Sequence, residues 1–168
     1  MIELTPEVKE FIEDNIDLIE NNCWDQIYDN ATFTLDSEST GVLTTILLHQ
    51  GIDPIELQGL DYIPDYYLSD APISSFRIPR AIHSLGEGCF SYTGLTSITI
   101  PENVKVLRDY VFYECAVLTK VTFEGSCNGV DIGSRVFHGC PDELVIRCKK
   151  GSDVDTYAHW MKYNVEYI

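Results

Sequence analysis

The sequence predicts an α+β chain: a short solenoid of about four units of 22–25 residues, with a helical cap at its N-terminus and a helix–strand cap at its C-terminus. Three observations predict it. A large apolar residue recurs at Leu68, Phe90, Phe112 and Phe137, with spacings of 22, 22 and 25 residues. Apolar and polar residues alternate after each of these anchors, the pattern of a strand with one buried face. The flanks, residues 1–52 and 151–168, carry helical spacing in place of the repeat.

Within the array, residues 53–150, the register holds at several positions. Five residues before each anchor stand Ile63, Leu85, Leu107 and Ile132. Ile82 and Val104 stand eight before Phe90 and Phe112. Ile73, Leu95, Leu118 and Leu144 follow the anchors, and then come the alternating pairs Phe76/Ile78, Ile98/Ile100, Val121/Phe123 and Leu144/Ile146. Pro79 and Pro101 end two of these strands, because proline donates no hydrogen bond to a ladder. Gly86, Gly88 and Gly133 suit tight turns between strands. Each unit therefore reads as one short strand plus a return segment, and stacking buries what a single unit leaves exposed.

The flanks read as caps. Thr5-Pro6 opens a helix whose stripe is Val8, Phe11, Ile12, Ile16 and Ile19. Further helices are expected near residues 24–30 and 41–50, the last stopping at Gly51. At the other end, Ser152 is a good N-cap with Asp153 and Asp155 in the first turn. Val154, Tyr157, Ala158 and Met161 share the face expected to pack, and Val165, Tyr167 and Ile168 offer a last strand.

The stretch from Ile100 to Phe123 resembles one repeat of the BspA-like, or Treponema pallidum-type, leucine-rich repeat family. It matches the family pattern at Ile100, Pro101, Val104, Leu107, Phe112, Cys115, Leu118, Val121 and Phe123. It departs at Arg108, where glycine is usual, and at Val111, where alanine is usual. The resemblance covers roughly residues 57–168. It implies a short curved leucine-rich-repeat solenoid and no shared catalytic residues. The N-terminal segment resembles leaders of repeat proteins from phages and gut bacteria, a likeness that carries no function.

Charge divides the chain. Net charge is −16, from 27 Asp/Glu and 11 Lys/Arg. Residues 1–76 hold 16 acids and one base, Lys9, for −15; residues 77–168 hold 11 acids and 10 bases, for −1. This balance disfavours direct contact with nucleic acid or anionic membrane. The first residues show neither the basic region nor the apolar core of a signal peptide, so the expected location is cytoplasmic, the host cytoplasm if phage-encoded.

Catalytic chemistry is not signalled. There is no phosphate loop, dinucleotide fingerprint, H-E-x-x-H or G-x-S-x-G, and the four histidines are scattered. The six cysteines form no C-x-x-C pair, so no zinc or other metal site and no cofactor is expected. Cys115 and Cys140 are repeat-equivalent, and stacked strands would bring them about 5 Å apart. That leaves both a thiol ladder and a disulfide open, with thiols the default in a reducing compartment.

The expected function is thus a non-enzymatic protein–protein interaction module. Two surfaces are candidates. One is the acidic half, with Glu10, Asp14, Asp17, Asp25, Asp29, Asp61, Asp65 and Asp70, which suits a basic protein partner. An acidic inhibitor of a nucleic-acid-handling protein, as in phage anti-defence, is its specific form. The other is the exposed strand face, with Arg77, Thr99, Lys120, Thr122 and Arg147, which suits a BspA-like surface adhesin or host-contact protein. Tyr62, Tyr66 and Tyr67 fit either a binding hot spot or the core. The sequence assigns no oligomeric state.

Overall fold

The structure, a computed structural model, describes residues 60–168 and the single residue Asp14. The helices expected within residues 1–52 lie outside the described residues, apart from Asp14, which is helical and exposed.

The array is a stack of coils with two short parallel strands in most coils, where the sequence pattern predicted one. The first sheet joins β1 (Tyr62–Ile63), β2 (Ser84–Leu85), β4 (Val106–Leu107) and β6 (Asp131–Ile132), in that order. The second joins β3 (Ser97–Ile100), β5 (Lys120–Phe123), β7 (Val145–Cys148) and β8 (Asn164–Tyr167). Strands of two residues are too short to show alternation, so the first sheet left only its single inward residue in the pattern. Those residues are Ile63, Leu85 and Leu107, all buried, and Ile132, half-buried.

The anchors form the spine of the core. The rings of Phe90 and Phe112 stack with centroids 5.5 Å apart, and Phe112 repeats the arrangement on Phe137 at 5.5 Å. Phe76 closes one end against Phe90 at 5.2 Å, and Tyr163 meets Phe137 edge-on at 5.7 Å. Such pairs contribute about 0.5–1.5 kcal/mol each beyond area burial. Register is held by backbone as well: the N–H groups of Leu68, Phe90 and Phe112 donate to the carbonyls of Cys89, Val111 and Val136 in the next coil, at 2.8–3.0 Å. The 25-residue spacing before Phe137 reflects a longer turn at residues 124–130, which buries Cys127.

The return segments repeat an unusual backbone conformation. Two residues before the anchors, Tyr66, Gly88, Tyr110 and Arg135 have φ between 53° and 61°; two residues after, Asp70, Tyr92, Glu114 and Gly139 have φ between 54° and 78°. Only Gly88 and Gly139 reveal this left-handed turn in the sequence; the other six positions hold residues that cost about 1–2 kcal/mol there. Gly86 is required for a different reason, since a Cβ would lie 2.6 Å from the Ile63 carbonyl oxygen and the Asp65 nitrogen.

Three sequence expectations are corrected. Phe76–Ile78 does not form a ladder strand; it is held between Pro72 and Pro79. The inward pair of the last repeat is Ile146/Cys148 rather than Leu144/Ile146, because Val121 registers with Ile146 and Leu144 takes the place of Leu118. Met161 does not pack; it is the C-cap of the terminal helix α1 (Asp153–Trp160) and 42% exposed. The rest of that cap forms as expected. Ser152 Oγ accepts from the Asp155 N–H at 3.2 Å, Val154 and Ala158 are buried, and β8 runs parallel to β7.

Candidate interaction surfaces

The left-handed turns place tyrosines and carboxylates on one side of the array. Tyr66 Oη donates to Glu87 Oε1 at 2.8 Å, and its ring lies across Gly88, where a Cβ would sit 2.7 Å from it. Tyr113 meets Tyr92 and Tyr110 edge-on at 5.6 and 5.5 Å and stacks on His138 at 5.4 Å. The Glu87 hydrogen bond, then burial, then the charges of Glu87 and Asp65 push the Tyr66 phenol up to about 12. Local desolvation, with Tyr113, Glu114 and Asp70 nearby, raises that of Tyr92. Both phenols stay neutral, and Glu87 lies in hydrogen-bond contact with that of Tyr66.

Some of these carboxylates also brace the coils. Asp65 Oδ1 accepts the Glu87 N–H at 2.7 Å, and Asp109 Oδ1 accepts the Ser134 N–H at 2.8 Å. Asp70 Oδ2 accepts from Ser69 Oγ at 3.0 Å. The ion pairs among the described residues lie elsewhere, so these carboxylates form none, although Arg135 stands at the turn position equivalent to Tyr110.

The structure therefore brings Asp65 and Asp70 together with Glu87, Asp109 and Glu114, and adds Tyr66, Tyr92, Tyr110 and Tyr113. Asp61 is exposed beside β1, and its carbonyl accepts the His83 N–H. Asp14 is exposed; Glu10, Asp17, Asp25 and Asp29 lie outside the described residues. Among the tyrosines singled out by sequence, Tyr67 is core at 1% exposure, whereas Tyr62 and Tyr66 face outward. Sequence reasoning missed Tyr92, Tyr110 and Tyr113, whose positions two residues from an anchor, or one after it, were the available signal.

The strand face is built differently. Thr99, Thr122, Arg147 and Glu166 register across β3, β5, β7 and β8. Glu166 sits 3.3 Å from Arg147 Nε and 3.6 Å from Lys120 Nζ. A residue of the C-terminal cap thus offsets part of the charge of the expected basic strip. Arg77 stays exposed at the far edge, beside Arg80.

The thiols of the described cysteines lie in the interior or at its edge. The five described cysteines are free. Cys115 Sγ donates to the Phe90 carbonyl at 3.0 Å and Cys140 Sγ to the Phe112 carbonyl at 3.3 Å, so each thiol binds backbone of the preceding coil. Burial pushes the Cys140 thiol up to about 12 and raises that of Cys115. Among the described residues, no group of three or more His, Cys, Asp or Glu is gathered to hold a metal ion. Asp153 and Asp155 instead accept the Gly129 and Gly151 N–H groups, both at 2.7 Å.

With this geometry in place, the family comparison is decisive: the model of the BspA type leucine rich repeat region matches six copies over residues 19–144. The chain belongs to the BspA-type leucine-rich-repeat family. The match begins at residue 19, within the segment that the sequence pattern assigns to the helical cap. No curated protein matches the chain, and no solved structure does. BspA-type repeats form an interaction fold that is generally non-enzymatic, and leucine-rich-repeat domains generally bind proteins. The regular surfaces of the solenoid, rather than a catalytic pocket, are where such a domain works.

Proposed function

We propose that this BspA-type repeat protein acts inside a cell as an inhibitor, placing its acidic half in the basic groove of a nucleic-acid-handling protein. The observation that carries this reading is the charge division: −15 over residues 1–76 against −1 over residues 77–168. The carboxylate–tyrosine face supports it. Carboxylates attract and orient lysine and arginine, while tyrosine supplies contact area and a cation–π partner at low entropic cost. Glu10, Asp14, Asp17, Asp25, Asp29 and Asp61 extend the same sign of charge in sequence toward the N-terminus.

Affinity purification from the native host, followed by titration of the captured partner across a salt series, tests the reading. Binding should weaken steeply from low to high salt, because screening shortens the reach of exposed charges. An affinity unchanged by salt overturns it.

A surface or host-contact adhesin binding through the strand face is the second reading. The aligned row of Thr99, Thr122 and Arg147 favours it. Glu166 offsets part of the positive charge that Lys120 and Arg147 give that face. An affinity lost on altering that row, and insensitive to the acidic residues, would select it.

A further inference from the structure

Among the described residues, the second sheet has edge strands at β3 and β8, and the β3 edge faces the first coil. Between β3 and β5, β5 and β7, and β7 and β8 the ladder is continuous. Between Phe76–Ile78 and β3 it is missing. No backbone hydrogen bond joins these two segments, and the nearest connection is Thr96 N–H to the Ser74 carbonyl at 3.4 Å. The same two coils are closed on their other side, where Tyr62 and Ile63 register with Ser84 and Leu85. Beside this gap in the ladder lies a groove of about 390 Å³, lined among others by Arg77, Arg80, Ser97, Thr99 and Glu124.

The phase of β3 determines which groups face this groove. The Glu124 N–H donates to the Ile100 carbonyl at 2.9 Å, so Ile100, and Ile98 two residues earlier, turn their backbone groups toward β5. Ser97 and Thr99, out of phase by one, turn theirs toward the groove. A parallel strand has alternate N–H and C=O groups ready to bond on such an edge, and an unpaired edge is a template for another chain. Arg77 is exposed and Arg80 is exposed, and neither has a carboxylate partner among the described residues. Among the described residues, Glu124 is the only acid lining the groove, against two arginines, so this lining is cationic on a protein of net charge −16.

We propose that this groove binds an extended peptide segment of a partner protein, which adds to β3 as an edge strand and places Asp or Glu side chains, or a terminal carboxylate, on Arg77 and Arg80. The backbone edge supplies register and the arginines select charge. The volume falls within the range of about 300–1,000 Å³ typical of ligand sites. This site is independent of the acidic-face reading, since it selects the opposite charge.

The test is selection of a displayed random octapeptide library on the full chain. Enrichment of acidic, β-branched peptides is expected. Their binding should fall about tenfold, as for loss of a charge-assisted contact, in R77E/R80E, an exposed pair whose replacement is expected to leave the circular dichroism spectrum unchanged. Alternate N-methylation of an enriched peptide should also abolish binding, which a purely ionic contact would survive. Selection that enriches only basic peptides, enriches nothing, or yields peptides indifferent to both changes overturns the proposal. Enrichment of basic peptides would at the same time support the acidic face, so the two readings fail separately.

Discussion

The turn face and the strand face hang from the same anchors yet present opposite electrostatic states. On the turn face, Asp65, Asp70, Glu87, Asp109 and Glu114 stand among tyrosines and form no ion pair among the described residues. On the strand face, Lys120 and Arg147 share Glu166. The difference arises from what each face needs structurally. Strand rows are held by their ladder, so their side chains are free to pair across strands. The return segments lack long strands, so carboxylates such as Asp65 and Asp109 bind the amides of the next coil and are retained beside one another despite repulsion. Repeat stacking itself thus concentrates negative charge on one face.

Substitutions can break this comparison at successively finer levels. Phe112→Ala removes the middle ring of the anchor ladder and should cost about 3–5 kcal/mol, collapsing both faces together. Urea denaturation followed by circular dichroism reads the loss. An effect well under that range would mean that the two faces do not share one spine.

Asp109→Ala should destabilise by about 1 kcal/mol, because the Ser134 N–H loses its acceptor. Asp109→Asn keeps an acceptor oxygen and should restore most of that stability while still lowering affinity for a basic partner. A variant that loses stability and affinity in strict proportion would show that the carboxylate matters only as a brace.

Glu166→Gln should change stability by less than about 1 kcal/mol, since its partners are half exposed. Its larger effect should be to make the strand face basic, detectable as stronger retention on a cation-exchange matrix.

Alkylation gives the smallest signal. Below pH 9 in the native state, Cys115 and Cys140 should react far more slowly than in urea, because burial raises both thiols and only the thiolate reacts. Mass spectrometry after denaturing, non-reducing alkylation should find both modified; a Cys115–Cys140 disulfide would contradict the thiol-to-carbonyl bonds.

Legibility of the fold in the sequence followed the size of the signal. Leu68, Phe90, Phe112 and Phe137 were visible because a stacked core demands large apolar residues at a fixed interval. The cap at Ser152 was visible because helix capping is local chemistry. The first sheet was not, since two-residue strands carry no periodicity. Cys148 was missed because Leu144 stands one residue later after its anchor than Leu118 does, and so offered a misleading pair with Ile146. The missing ladder beside Phe76 was invisible for the opposite reason: Phe76 and Ile78 keep the alternation of a strand.

The candidate surfaces were less legible than the fold. Asp65 and Asp70 came from a charge count, which sees sign but not neighbours. Tyr92 and Tyr110 come beside them through left-handed turns that are written in the sequence only where glycine occupies them. Glu166 offsets part of the strand face's charge from the cap, outside the repeat that the pattern follows.

The most direct test compares two variants against the same captured partner. In D70N/E87Q/E114Q, charge is removed from the turn face with the Asp65 and Asp109 braces intact. In T99A/T122A/R147Q, the strand row is altered instead. The account predicts about tenfold weaker binding for the first, as for loss of a few interfacial charges, and little change for the second. Unchanged affinity in the first with marked weakening in the second would contradict it and assign binding to the strand face.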